Sequence, residues 1–242
     1  MLITDSEFTN GFTIVGAGRA GNAFSHALRA AGVTVNGPLD RGAALPSHGV
    51  ILLCVPETSL ATVSQSLSVG CIVGHCSASA PMELLAPHER FVTHPLLPLT
   101  KSTTSFVGSV CATDGNTPRA RDVAKHLATL LGMRAVSVPA NQRALYHAAA
   151  SMAANFLVTL EASAERLAAP TGIERKDLAN IVRASVENWL TLGGKDALTG
   201  PVSRNDAVTV AKQRVAVAET APDLLPLWDA LVGASRNLAG LE

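Results

Sequence analysis

The chain has 242 residues, 48% of them hydrophobic and 16% charged, with 19 basic against 19 acidic side chains. That composition excludes a disordered chain and predicts one large or two modest globular domains. Zero formal net charge without a basic stripe argues against a nucleic-acid partner; Arg119, Arg121 and Lys125 read as one solvated helix face.

In chain order, residues 1–10 are polar, with Asp5 and Glu7, and lack the basic-then-apolar layout of a signal peptide. No apolar run approaches the length of a membrane span, so a soluble cytoplasmic protein is expected. The apolar run 12–15 predicts a strand and 22–31, closed by Gly32, a helix. Further strands are expected at 33–35, 50–55, 71–75, 91–94, 106–112 and 135–138, with helices at 60–67 and 119–131 between them. This alternation predicts a parallel sheet covered on both faces. After Pro139 the pattern is helical only: 141–169 stopped by Pro170 and Gly172, 177–192 ended by Gly193 and Gly194, then 206–218 and 223–237. The expected fold class is α/β, a Rossmann-type parallel sheet domain over 1–140 followed by an all-α domain over 141–242. Cys54, Cys71, Cys76 and Cys111 form no CxxC pair, as expected of free thiols in a reducing compartment.

The first strand breaks directly into Gly16-x-Gly18-x-x-Gly21. In a strand–turn–helix context this spacing predicts a dinucleotide site. Gly16 permits the sharp turn, Gly18 lets backbone approach a pyrophosphate, and Gly21 lets helix and strand pack closely. The helix N-terminus, with Arg19 and Ala20 in the loop, faces the phosphates. The ribose is read about 20 residues on, where Asp40 and Arg41 are adjacent. The acid suits the ribose hydroxyls of NAD and the arginine the 2′-phosphate of NADP; charge complementarity favours NADP, and a solvated turn is the plain alternative. Val55 and Pro56 end the third strand beside the cofactor. Ser77, past the fourth, is placed to bond a nicotinamide amide or substrate oxygen. His94, ending the fifth, is placed to shape a substrate pocket.

Taken together, GAGRAG, VILLCVP, GHCSAS, THPLLPL, LYHAAASMAANFL and LTGPVSRNDAVTV resemble the Rossmann-like proteins that carry a DUF2520 C-terminal domain. These belong to the 6-phosphogluconate dehydrogenase-like superfamily, with ketopantoate reductase and pyrroline-5-carboxylate reductase as relatives. The resemblance implies an NAD(P)-binding domain and a helical domain that makes dimers, without fixing a substrate. Ketopantoate reductases open their helical domain with a proton-donating lysine, followed by asparagines four and eight residues later. The similar positions here are His147, Ser151 and Asn155, whose four-residue spacing puts them on nearly one helix face. With an ordinary pKa of about 6.5, a histidine can supply a proton to a carbonyl near neutrality. Ser151 and Asn155 would orient that carbonyl.

Tyr146 is read as packing at the domain interface. His75, Cys76 and His94 lack the third and fourth partners of a metal site, so no metal is expected. The loop 199–206 offers Ser203 or Asn205 as a helix cap, or Arg204 with Asn205 as a clamp for a substrate carboxylate or phosphate. No GxSxG elbow or Walker loop is present. The expected function is NAD(P)-dependent reduction of a small, anionic oxo or imino compound in a domain cleft, with a ketopantoate-reductase-like activity the most concrete case. The alternative is a dinucleotide-binding sensor or scaffold with little turnover. A small-molecule substrate and a second copy of the chain are the expected partners.

Overall fold

The computed structural model describes residues 11–241, so the reading of residues 1–10 lies outside the described residues. The chain divides into two compact units, Met1–Ala154 and Asn155–Glu242.

The first unit contains β1 (Phe12–Val15), α1 (Arg19–Ala30), β2 (Val35–Leu39), β3 (Val50–Leu53), α2 (Glu57–Gln65), β4 (Ile72–His75), β5 (Glu89–Pro95), β6 (Val110–Gly115), α3 (Pro118–Leu130), β7 (Arg134–Ser137) and α4 (Arg143–Ser151). One sheet holds all seven strands in the order β2-β1-β3-β4-β5-β6-β7. The chain leaves β1 toward β2 on one side and returns to β3 on the other. A crevice therefore opens at the carboxyl ends of β1 and β3, where ligands of open α/β sheets sit. Alternate side chains serve opposite faces. Phe12, Ile14, Val50 and Leu52 pack with α1 and α3, whereas Val15, Ile51, Leu53 and Val73 pack with Leu60 of α2. Gly74 in β4 lies under the Phe91 ring, which an added Cβ would meet at 2.3 Å.

Several bounds differ from the sequence reading for identifiable reasons. α1 starts inside the glycine motif, because Gly18 is its N-cap. β2 runs later than expected and includes Gly37 and Pro38; an edge strand tolerates a proline that cannot donate to the ladder. The sheet is not wholly parallel, since β5 and β6 pair antiparallel. Parallel neighbours need a crossover, usually helical, and residues 96–109 contain no helix. Phe106 leaves the expected strand 106–112 and stacks on Phe24 at 4.8 Å between ring centres. In α3, Thr117 caps the helix by accepting the Ala120 N–H at 3.1 Å, with Pro118 opening the first turn.

The expected single helix 141–169 is interrupted. α4 ends at Ser151, a π-helical turn covers Met152–Phe156, and α5 spans Leu157–Ala168. The helical unit continues with α6 (Arg175–Leu192), α7 (Gly194–Ala197), α8 (Gly200–Ser203), α9 (Ala207–Thr220) and α10 (Leu225–Ala239). Ion pairs Arg166–Asp223 and Arg214–Asp229 tie its helices at 2.9 and 2.8 Å. Along α6 no side chain is buried, and Ile181, Trp189 and Leu190 are exposed. No helix among the described residues is long and apolar enough to cross a membrane.

Candidate functional site

Four features make the glycine loop a cradle. Gly16 has φ +106°, the left-handed region that glycine favours. A Cβ on Gly21 would lie 1.8 Å from the Gly16 carbonyl oxygen, so this close helix–strand contact requires glycine. Gly18 is different: its φ is −76°, and an added Cβ would meet nothing within 4 Å. Neither backbone nor packing demands a glycine there, which leaves room for a ligand to approach. The first turn of α1 has no side-chain cap and no acidic residue, so its N–H groups and positive dipole end stay available to an anion. Ala20 packs against the core behind them.

One cleft of about 760 Å³ extends from this loop past Asp40 and Arg41 to Val55, Pro56 and Thr62. It brings together the glycines, the Asp40–Arg41 pair and the end of β3. It has the chemistry for an adenosine half: an apolar wall, a carboxylate and a guanidinium.

Beyond β4 the chain forms a tight polar knot. The Ser77 hydroxyl donates to Glu57 Oε1 and accepts the N–H groups of Ser79 and Ala80 at 3.1 and 3.0 Å. One donor and two acceptor sites exhaust a hydroxyl. Ser77 Oγ is thus committed within the protein rather than open to a nicotinamide amide. Glu57, at the start of α2, also accepts from Ser79 Oγ at 2.7 Å. The two serine hydroxyls hold its carboxyl below the usual carboxylate range, with smaller help from His75 and His147. Nothing in the sequence marks Glu57, which stands among small polar residues without a periodic signal. Behind it His75 is 1% exposed and accepts the Ser77 N–H on Nδ1 at 3.2 Å. Burial first, then the Arg143 charge, push His75 down to about 4, so it is neutral near pH 7.

At the end of β5, His94 Nδ1 lies 2.9 Å from the Tyr146 hydroxyl, with the rings edge to face. Burial, then the neighbouring His147, lower His94 to about 4, and burial raises Tyr146 to about 12. This is a neutral hydrogen-bonded pair, and Tyr146 does more than the packing expected of it. His147, one position on, is exposed with its ring centre 6.3 Å from that of His94. Arg143, 9% exposed, pairs with Asp114 at 2.7 Å. A small cavity of about 10 Å³, space for roughly one water, lies among Ser77, His94, Thr113, Asp114, Arg143 and Tyr146. In the sequence the only signal for Arg143 and Asp114 is a cation opening an alanine-rich helix.

His147 and Ser151 keep their four-residue spacing within α4, and Ser151 closes that helix. Asn155 falls in the π-helical turn and begins the second unit, so the uniform α-helical spacing does not continue to it. In that second unit Arg204 follows α8, and Asn205 has φ +55° with its side-chain oxygen accepting from Arg236 at 3.3 Å. The cap of α9 is Asp206 rather than Ser203 or Asn205: its carboxylate accepts the Thr209 N–H at 3.0 Å. Among the described residues no group of three or more His, Cys, Asp or Glu is placed to hold a metal ion.

The sequence model of the family described as Domain of unknown function (DUF2520) matches residues 109–234, just over half of the chain. The chain belongs to the DUF2520 family. No curated protein matches it by sequence. Among solved structures, this DUF2520 chain is similar to protein TM1727 from Thermotoga maritima, at 21% identity and TM-score 0.82, over 95% of this chain and 99% of that one. A reductive aminase from Aspergillus terreus in complex with NADPH and ethyl-5-oxohexanoate is similar at 17% identity and TM-score 0.68, over 94% and 93%. A Plasmodium falciparum pyrroline carboxylate reductase with NADP bound is similar at 13% identity and TM-score 0.59, over 96% and 99%. At these identities what is shared is the fold.

Proposed function

We propose that this DUF2520 protein is an NADP-dependent reductase of small oxo or imino compounds. The observation that carries the reading is Gly18, a glycine that no intramolecular contact requires, at the uncapped start of α1 on the switch point of the sheet. The NADPH and NADP complexes of the reductive aminase and pyrroline carboxylate reductase support a phosphorylated dinucleotide there. When bound, such a dinucleotide supplies hydride. Gly18, Arg19, Ala20 and Gly21 would hold its diphosphate through backbone N–H groups at the start of α1, with Gly16, whose own N–H donates to the Leu39 carbonyl at 2.8 Å, making the turn, and the Asp40–Arg41 cleft would take its adenosine. Val55, Pro56 and the Ser77 loop border the nicotinamide end, where Glu57 offers the free acceptor that Ser77 Oγ lacks.

In this reading His147 supplies the proton to the reduced double bond, beside the neutral His94–Tyr146 pair that walls the substrate. Ser151 would orient the reduced group; Asn155, Arg204 and Asn205 of the helical unit are candidates by sequence, with Arg204 suited to an acid group on a substrate. A ketopantoate-like oxo acid is one such compound. A second copy of the chain covers the apolar side chains of α6, giving a homodimer.

Titration of NADPH fluorescence tests the cofactor, and NADPH oxidation against a panel of 2-oxo acids and cyclic imines tests the chemistry. His147→Ala is expected to lower kcat about 10²- to 10⁴-fold on the best substrate. Equal turnover by variant and wild type would remove His147 as donor. Tight NADPH binding with no compound consumed would replace the reductase by a nucleotide-binding sensor.

A further inference from the structure

The glycine loop has a second side. A cleft of about 990 Å³ runs along α1 and shares Ala17 and Gly18 with the cleft of Asp40 and Arg41. Its cationic side chains among the described residues, Arg19 and Arg29 from α1 and Lys101 from the segment after β5, face no carboxylate in the lining, and His26 of α1 lies beside them. Lys101 sits on a turn built by hydroxyls, with Thr103 Oγ1 accepting the Thr100 N–H at 2.9 Å and Thr100 Oγ1 accepting the Ser102 N–H at 3.3 Å. The Arg29 guanidinium donates to the carbonyls of Val35 and Gly37, which fixes its charge at the wall. The side chains of Arg19 and Lys101 have no hydrogen-bond or ion-pair partner among the described residues. Ser25 lines the same cleft, 1% exposed, and its hydroxyl has no partner among the described residues.

Pro38 of β2 also lines this cleft, which therefore reaches the strand end where an adenosine ribose is read. On the other side of that strand end stands Asp40, beside Arg41. A phosphate monoester on the ribose carries close to two negative charges near neutrality. Against Asp40 it would meet a like charge. Turned toward α1 it meets unpaired cations and the positive end of a helix.

We propose that the α1 cleft receives the 2′-phosphate of NADP, with Lys101 and Arg19 as its ligands, so that Lys101 rather than Arg41 sets NADP over NAD. This assignment rests on the dinucleotide reading above. Asp40 and Arg41 then serve the adenosine and the ribose 3′-hydroxyl, and they contribute to both dinucleotides alike.

The test is titration of the full chain with NADPH and with NADH, for wild type, Lys101→Ala, Lys101→Arg and Arg41→Ala. Lys101→Ala is expected to weaken NADPH about tenfold or more, the effect of one charge-assisted bond to phosphate, with NADH changed less than about twofold. Lys101→Arg retains the NADPH preference, and Arg41→Ala leaves the ratio of the two affinities unchanged. Lys101 is exposed on a loop, and a thermal unfolding curve for each variant checks that the fold persists. If wild type binds NADPH and Lys101→Ala shifts both dinucleotides equally or neither, the assignment is overturned while the dinucleotide reading stands. Collapse of the ratio in Arg41→Ala overturns it in the same way. If wild type binds neither dinucleotide, both readings fall together.

Discussion

Two glycines of one motif are expected to respond oppositely to the same substitution. Gly21→Ala places a methyl carbon 1.8 Å from the Gly16 carbonyl oxygen. Both groups belong to the backbone, so no rotamer change relieves the overlap, and α1 must move off β1. Overpacking of this kind costs about 3 kcal/mol or more, which lowers Tm by roughly 6 °C or more for a chain of this size. Gly18→Ala places its methyl in open space at a φ of −76° that alanine adopts without strain. The lost N-cap preference and the smaller unfolded-state entropy nearly offset, leaving stability within about 1 kcal/mol. The new methyl nevertheless stands where a diphosphate must approach the N–H groups of α1. NADPH affinity should then fall about tenfold or more, a loss of at least about 1.4 kcal/mol. Thermal unfolding without ligand and fluorescence titration with NADPH separate the two effects. Unfolding of Gly18→Ala as early as Gly21→Ala, or NADPH binding by Gly18→Ala equal to wild type, would refute this division of roles.

His75 ties stability to pH. Its folded pKa of about 4 lies below the ordinary 6.5, so the unfolded chain takes up a proton that the folded chain refuses. Its contribution is fully present above pH 6.5 and is lost as pH falls toward 4, about 3 kcal/mol in all. His75→Gln should flatten that limb, read by hydrogen exchange of the peptide covering β4; an unchanged slope counts against a neutral His75. Ser77→Ala strips Glu57 of a donor and leaves two backbone N–H groups without an acceptor. It should cost about 1–3 kcal/mol, speed exchange at residues 77–80, and move the Glu57 carboxyl up toward its ordinary range in an NMR titration. Arg143→Ala leaves Asp114 without its cation and should destabilise by about 2 kcal/mol, discounted because Asp114 is 22% exposed. A double-mutant cycle with Asp114→Ala should return a coupling of about 1 kcal/mol or more, and additive losses would mean that the pair does not act as one.

The parts of this site that were legible in the sequence are those whose chemistry is local. A strand, three glycines at fixed spacing and a helix start are written within ten consecutive residues, and the alternation of strands and helices carries the layered sheet. What escaped depends on partners distant in sequence. Tyr146 reads as packing in the sequence because its partner His94 lies 52 positions away, on another element. Glu57 gains its role from two serines past the next strand. The reversed direction of β6 did leave a trace, a connection at 96–109 with no helical period, but direction follows only once a crossover is known to be missing. The π-helical turn left none. Met152, Ala153, Ala154, Asn155 and Phe156 contain neither glycine nor proline, and nothing local marks a change of helical pitch.

The saturated hydroxyl of Ser77 has a consequence for recognition. With both lone pairs and its proton engaged, the segment from Ser77 to Ala80 is fixed at folding and does not wait for a ligand to shape it. The entropy of ordering that segment is settled before any encounter, so it is not subtracted from binding affinity. Under the proposed reading, a ligand at this end of the sheet would meet a wall already formed, with the Glu57 carboxylate already aimed, and would lose no affinity to ordering it.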